Sequence, residues 1–255
     1  MTQVNVLIYA IDQLCITNTK TMSNQDRTFE IFSGIILQKN KIAEHTYHIK
    51  IQSMDFSRIH YIPGFSIDIF LSNPYFNPLS EVRRYSFWNY EPVYHVADFA
   101  INTFSNGKGA QWVQTVQEGD TIFFKEPSSE ISMNNTADHY FLIGDIIALS
   151  HLYEINRALS VSKQVSSFIF AEHQEDIFPD LDHSFPLETH IIESLDPQKI
   201  IELISLNFPE HQTNIIAYIL GDSKTVSYIY NYLKDNPMYD ISTIYIKSFW
   251  NKTII

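Results

Sequence analysis

Cysteine is almost absent: Cys15 is the single one in 255 residues. That excludes a disulfide within the chain and any iron–sulfur or zinc site built on several thiolates, and it fits a reducing compartment. Glycine is scarce too, with seven residues, under half of an average share of about 7%. Basic residues are few. Seventeen Lys and Arg face 29 Asp and Glu, a net charge of −12, which argues against a nucleic-acid partner or an anionic membrane surface. Any anionic ligand must therefore meet a local basic pocket. No uninterrupted apolar run reaches about 20 residues, so membrane insertion is not expected. The apolar run at residues 4–11 has no basic region before it and no small-residue cleavage site after it, so we expect no secretory signal and a cytoplasmic location.

What is present describes a folded chain: 45% hydrophobic and 18% charged residues, long enough for two domains of ordinary size. Residues 1–26 carry no decisive pattern. From residue 29 short strands are expected at 29–37, 46–52, 65–71, 81–88, 94–103 and 121–125, separated by turn signals such as Pro63-Gly64, Asn73-Pro74 and Asn106-Gly107. This predicts a small antiparallel β-barrel over residues 27–128. Residues 125–138, rich in Ser, Asn and Pro, read as a linker. Beyond them, strands at 139–143, 165–171, 187–192, 215–220 and 241–249 alternate with helices. Leu149, Leu152, Ile155 and Leu159 share one helical face, and Asp196 should cap a helix at 197–206. The pattern predicts a parallel α/β sheet over 138–255.

A β-barrel followed by such a sheet is a flavin-then-nicotinamide layout. Ligands of open α/β sheets sit beyond the carboxyl ends of the strands, where Gly144-Asp145 and Gly221-Asp222 fall. Each Gly-Asp could equally be a strand-to-helix turn with a capping aspartate. The run around which the chemistry gathers is Arg83-Arg84-Tyr85-Ser86. A guanidinium can grip a pyrophosphate with two charge-assisted hydrogen bonds, a tyrosine ring can lie on an aromatic cofactor, and a hydroxyl can meet a ring nitrogen. Strand alternation puts Arg83 and Tyr85 on one face and Ser86 on the other. His45 and His48, three apart in a strand, face opposite ways and lack a third ligand, so no metal site is expected. No Gly-x-Ser-x-Gly elbow supports a hydrolase.

These residues resemble the siderophore-interacting protein family, FAD-dependent ferric-siderophore reductases of the vibriobactin-utilisation type within the ferredoxin-reductase-like superfamily. The likeness spans roughly residues 27–250. Arg83-Arg84-Tyr85-Ser86 is similar to the family's Arg-x-Tyr-Thr/Ser flavin signature. Gly107-Lys-Gly-Ala-Gln-Trp112 with Glu118-Gly119-Asp120 resembles its Gly-Pro-Ala-Ser-x-Trp and Pro-Gly-Asp run. The segments ending in Gly144-Asp145 and Gly221-Asp222 resemble its nicotinamide-side motifs, and Phe249-Trp250 its terminal aromatic pair.

The resemblance implies FAD as cofactor, NAD(P)H or reduced ferredoxin as donor, and a ferric siderophore, of catecholate type, as substrate. Arg83 would bind the pyrophosphate, Tyr85 would stack on the isoalloxazine, and Ser86 would bond near its N5, with Phe87 and Asn102 alongside. The loop of Gly107, Gly109, Ala110, Gln111 and Trp112 would meet the phosphates. Gly144, Asp145, Ala148, Gly221 and Asp222 would line the nicotinamide side. Arg84, Lys108, Lys247 and Lys252 would form a basic rim for the siderophore, although a solvated lysine is the plainer reading of each. The chain departs from the pattern at Asn102 for His, Ile146-Ile147 for Glu-Thr, Ser150 for Pro and Asn251 for Arg. Those departures leave open a non-catalytic flavin- or chelate-binding protein of the same fold, or a flavin oxidoreductase with another acceptor.

Overall fold

The computed structural model describes residues 30–131, 133–159, 161–209 and 213–249. Expectations placed on residues 1–26, on Trp250 and Asn251, and on Lys252 lie outside the described residues. The first half forms strands β1 (Ile31–Ala43), β2 (Thr46–Gln52), β3 (Phe65–Phe70), β4 (Val82–Ser86), β5 (Asn89–Glu91) and β6 (Val96–Asn102), helix α1 (Lys108–Thr115), then β7 (Thr121–Lys125) and β8 (Ser128–Ser129). They build one antiparallel sheet in the order β4-β3-β7-β1-β2-β6-β5, with β8 added beside β3. The two outer strands are consecutive in the chain. Phe87 N donates to Phe65 O at 3.0 Å and Trp88 N to Asp98 O at 2.8 Å, so the connection curls the sheet into a half-barrel.

Strand β1 runs six residues past its expected end. Its first half alternates buried Phe32, Gly34 and Ile36 with more exposed neighbours, but the second half is polar. That half is held by pairing with β2 through two register shifts, which a hydrophobic pattern does not record. Inside the curl, aromatic rings interdigitate: Phe56 lies 5.2 Å from Phe124 and Phe87 4.9 Å from Phe99. Each such ring removes enough apolar area from water for roughly 1.5–3 kcal/mol.

The second half runs β9 (His139–Asp145), α2 (Leu149–Ala158), β10 (Gln164–Ala171), β11 (Thr189–Ile191), α3 (Pro197–Leu206), β12 (Ile215–Gly221), α4 (Ser223–Asp235) and β13 (Ile241–Ser248). The sheet is parallel throughout, ordered β11-β10-β9-β12-β13. Every residue of β9 and β12 is buried, as central strands covered on both faces require. Tyr140 and Leu142 face a core shared with α2 and the barrel, while Phe141 and Ile143 face α3 and α4. Leu149, Leu152 and Ile155 are fully buried on α2, and Asp196 accepts from Gln198 N at 3.1 Å to start α3. The strand expected at 187–192 contracts to three residues at the sheet edge, where it pairs with β10.

Residues 125–138 are more firmly placed than a linker would be. Ser128 and Ser129 pair with β3, Ile131 is buried, and Asn134 donates its N–H to the Tyr218 hydroxyl and its amide to that of Tyr245, both at 3.0 Å. The polarity that suggests a free connector serves hydrogen bonds across the seam between barrel and sheet.

Candidate functional site

Alternation along β4 divides its side chains as expected. Arg83 and Tyr85 turn to the N-terminus of α1. A Cβ on Gly109 would lie 2.7 Å from the Tyr85 hydroxyl and 3.4 Å from Arg83 Cγ, so glycine is what lets the helix approach β4 so closely. Tyr85 lies over the buried Trp112, ring centroids 6.1 Å apart and planes within 22°. The Tyr85 hydroxyl is buried and has no hydrogen-bond partner among the described residues. Burial pushes its pKa up, so it stays a donor.

Helix α1 begins at Gly107, and no side chain caps its first N–H groups. Arg83 and Lys108 both pair with the Glu81 carboxylate, Arg83 Nη2 at 2.8 Å. Beside them an open groove of about 430 Å3 is lined by Leu71, Leu79, Glu81, Lys108, Gln111 and Trp112. Uncapped helix N–H groups, two cations and an unpartnered tyrosine hydroxyl fit a phosphate-bearing ligand with an aromatic part. Gln111 is tied to the loop by donating its amide to Asn106 O at 3.0 Å, and Ala110 is on the buried side of α1.

Arg84 and Ser86, on the opposite face, meet a different set of partners. Arg84 pairs with Asp68, Nε to Oδ1 at 2.6 Å, and with Glu130. Ser86 is buried and accepts from Lys247 Nζ at 3.0 Å. The solvated-lysine reading of Lys247 is corrected: its side chain is 6% exposed, and it reaches from the end of β13 across the seam to Ser66, Ser86 and Glu130. Arg84 is likewise engaged and not free at a rim, whereas Lys108 is exposed. Phe87 is fully buried, its ring committed to the barrel core. Asn102 accepts from Thr46 Oγ1 at 2.8 Å and donates to Ile147 O at 3.4 Å, so it stitches barrel to sheet.

At the other end of the site, Asp145 and Gly221 stand side by side where the strand order reverses between β9 and β12. Asp145 Oδ1 accepts from Ile147 N (3.0 Å) and Ala148 N (3.3 Å), and Oδ2 from Asp222 N (2.7 Å). Burial raises its pKa to about 6 against these bonds. A side chain at Gly221, where φ is +146°, would strike the Asp145 carboxylate at 2.6 Å. Asp222 caps α4 through Lys224 N and Thr225 N, both at 3.1 Å. Both Gly-Asp pairs are thus strand-to-helix turns, and the Asp145 carboxylate is spent on backbone. Ala148 is buried behind it.

Tyr61, Ser66, Glu130, Glu154 and His151 complete the seam, and none of them was named from the sequence. Glu154 lies among the apolar positions of α2, accepting from the Tyr61 hydroxyl and from Gly64 N at 3.0 Å. Its position inside a buried helix was the one available clue. His45 and His48 bond separately to Asp176 (2.8 Å) and Asp98 (2.7 Å).

No family model and no curated protein matches the chain. Solved structures do. A siderophore-interacting protein from Acinetobacter baumannii superposes with a TM-score of 0.73 at 16% identity, covering 89% of this chain and 92% of that one. The chain has the fold of the siderophore-interacting proteins. A second protein with this fold, SipS from Aeromonas hydrophila, gives a TM-score of 0.71 at 15% identity over 88% of this chain and 99% of that one. The siderophore-interacting fold is also that of reductases: phthalate dioxygenase reductase, described as transferring electrons from pyridine nucleotides to [2Fe-2S], matches at 0.65 and 15% identity, over 85% of this chain and 68% of that one. Among the described residues no helix is long and apolar enough to cross a membrane.

Proposed function

We propose that this chain is an FAD-dependent oxidoreductase that reduces a ferric siderophore of catecholate type and so releases Fe(II) in the cytoplasm. In this reading residues 27–128 form the FAD-binding domain and 138–255 the donor-side domain. The observation that carries it is the convergence of Arg83, the unpartnered Tyr85 hydroxyl and the uncapped start of α1 on one glycine, Gly109. Arg83, Lys108 and the N–H groups after Gly107 would hold the pyrophosphate. Tyr85, rigid against Trp112, would orient the isoalloxazine, and Ser86 would bond at its reactive edge. FAD supplies storage for two electrons and their release one at a time.

Iron leaves because Fe(II) is held less tightly than Fe(III) by hard oxygen donors. The chain's part is to bring the anionic chelate within reach of the flavin against a net charge of −12. The donor is NAD(P)H or reduced ferredoxin. Full engagement of the Asp145 carboxylate by backbone favours ferredoxin.

Absorption spectroscopy of purified protein tests the reading. Flavin bands should be present, should bleach on anaerobic photoreduction, and should return on adding a ferric catecholate while a chelator traps Fe(II). A colourless protein that takes up no added FAD would sink the assignment. Flavin that cannot be reoxidised by the ferric chelate would leave a flavoprotein with another acceptor.

A further inference from the structure

The amino-terminal ends of the parallel strands carry a cavity apart from the proposed flavin site. Its volume is about 280 Å3, and it lies between the end of α2, the start of β10 and the segment at 180–187. At this end of the sheet Gln164 of β10 pairs with His139 of β9, and at the other end Phe170 pairs with Asp145. The cavity therefore stands a strand length from the carboxyl ends, where ligands of such sheets gather. Val165 and Ser167, two apart on β10, turn to it from the same face, and Leu159, Phe185 and Leu187 close its sides.

One cation enters the cavity. The Lys163 side chain is 18% exposed, whereas its carboxylate partner Asp138 stands 3.4 Å away and is 93% exposed. An ion pair with one member so far in water is weak and readily exchanged. An ammonium beside an apolar wall then suits an anion whose body the wall can cover. The segment over the cavity is held under strain: Phe185 has a φ of +50° and His183 one of +58°. Bulky residues rarely adopt this region, and a residue before proline, as Phe185 is before Pro186, is pushed towards extended backbone. Such conformations persist only where the surroundings fix them, and they gather at ligand clamps. Here Asn156 Nδ2 donates to Phe185 O at 2.9 Å and Glu188 N to Ser167 Oγ at 2.7 Å, so both fixing bonds are anchored on the cavity wall.

We propose that this cavity binds a small apolar monocarboxylate, with its carboxylate on Lys163 and its body against Val165, Phe185 and Leu187. Small-molecule sites run from about 300 to 1,000 Å3. A cavity at the lower limit of that range takes one aromatic ring or a medium-length alkyl chain. Either body meets the same apolar wall, and the same ammonium holds the head.

Titration calorimetry on the full chain, with and without added FAD, tests the site with octanoate and benzoate and with their uncharged isosteres octanamide and benzamide. At least one acid should bind at a single site, and its amide about tenfold or more weakly, the loss of a charge-assisted hydrogen bond. Whichever acid binds more tightly identifies the body. K163M should weaken the acid by the same factor. V161D should do so as well, by setting an anion at the mouth. Val161 is 88% exposed, so V161D should melt with the unmodified chain and keeps the test decisive where K163M does not fold. Neither acid binding at millimolar concentration would overturn the site. So would an acid held by V161D and K163M as tightly as by the unmodified chain, or an amide held as tightly as its acid. A chain that sediments as a dimer, becomes monomeric on V161D and takes up neither acid would overturn it in favour of a contact between two copies. FAD uptake bears on the flavin site alone.

Discussion

Arg83 and Gly109 test different parts of the proposed phosphate site. Arg83 is exposed and already shares Glu81 with Lys108, so its removal should leave the fold intact. Arg83→Ala should weaken FAD binding by about 1.5–3 kcal/mol, the range for hydrogen bonds to a charged group. That corresponds to roughly a 10- to 150-fold rise in Kd by fluorescence titration, and an unchanged Kd would remove Arg83 from the site. Gly109→Ala would set a methyl 2.7 Å from the Tyr85 hydroxyl. It should displace that ring from Trp112, lower FAD affinity and alter the tryptophan emission even without flavin. Emission and affinity identical to those of the unmodified chain would mean that α1 and β4 need not meet so closely.

The turn from β9 into α2 carries the clearest prediction among the elements. Gly144 has no room for a side chain: a Cβ would stand 2.6 Å from Leu152 Cδ1 on α2 and 2.6 Å from the Leu220 carbonyl on β12. The leucine tip can rotate, but a paired backbone carbonyl cannot. Gly144→Ala should therefore destabilise by roughly 1–3 kcal/mol, the ordinary range for an overpacked core, read as a lower urea midpoint with unchanged slope. The same turn shows why Asp145 belongs to structure. Three backbone N–H groups end on its carboxylate, and Asp145→Ala would leave them buried without partners.

For the whole molecule, the seam is the feature that titrates. Glu154 on α2 is clasped by Tyr61 and Gly64 from the barrel, and burial raises its pKa to about 7 from 4.5. An acid whose folded-state pKa is raised contributes stability that is full below its unfolded value and lost as pH rises through its folded value. The seam should thus loosen between about pH 4.5 and 7, by an amount on the order of 3 kcal/mol for a shift of this size. Glu154→Gln keeps an acceptor oxygen for Gly64 N, can donate its amide to the Tyr61 hydroxyl, and cannot ionise. Its melting temperature should vary less with pH over this window and exceed that of the unmodified chain at pH 8. Parallel pH profiles for the two proteins would show that Glu154 does not govern the seam.

The chain order of the fold was open to reading because it rests on local pattern. Tyr140 to Ile143 and Ile215 to Leu220 are continuous apolar runs that only a doubly covered strand accommodates, and Asp196-Pro197 announces α3. Alternation in β4 likewise separates Arg83 and Tyr85 from Ser86 on sequence alone. Tertiary structure decided what those side chains meet. Lys247 reads as a surface lysine because its sequence neighbours say nothing of Ser66, 181 positions away, or Glu130. Asp145 reads as a ligand group until Asp222 N is seen to take its second oxygen. Burial and partnership of a charge depend on which strands lie side by side, and distance along the chain does not contain that information.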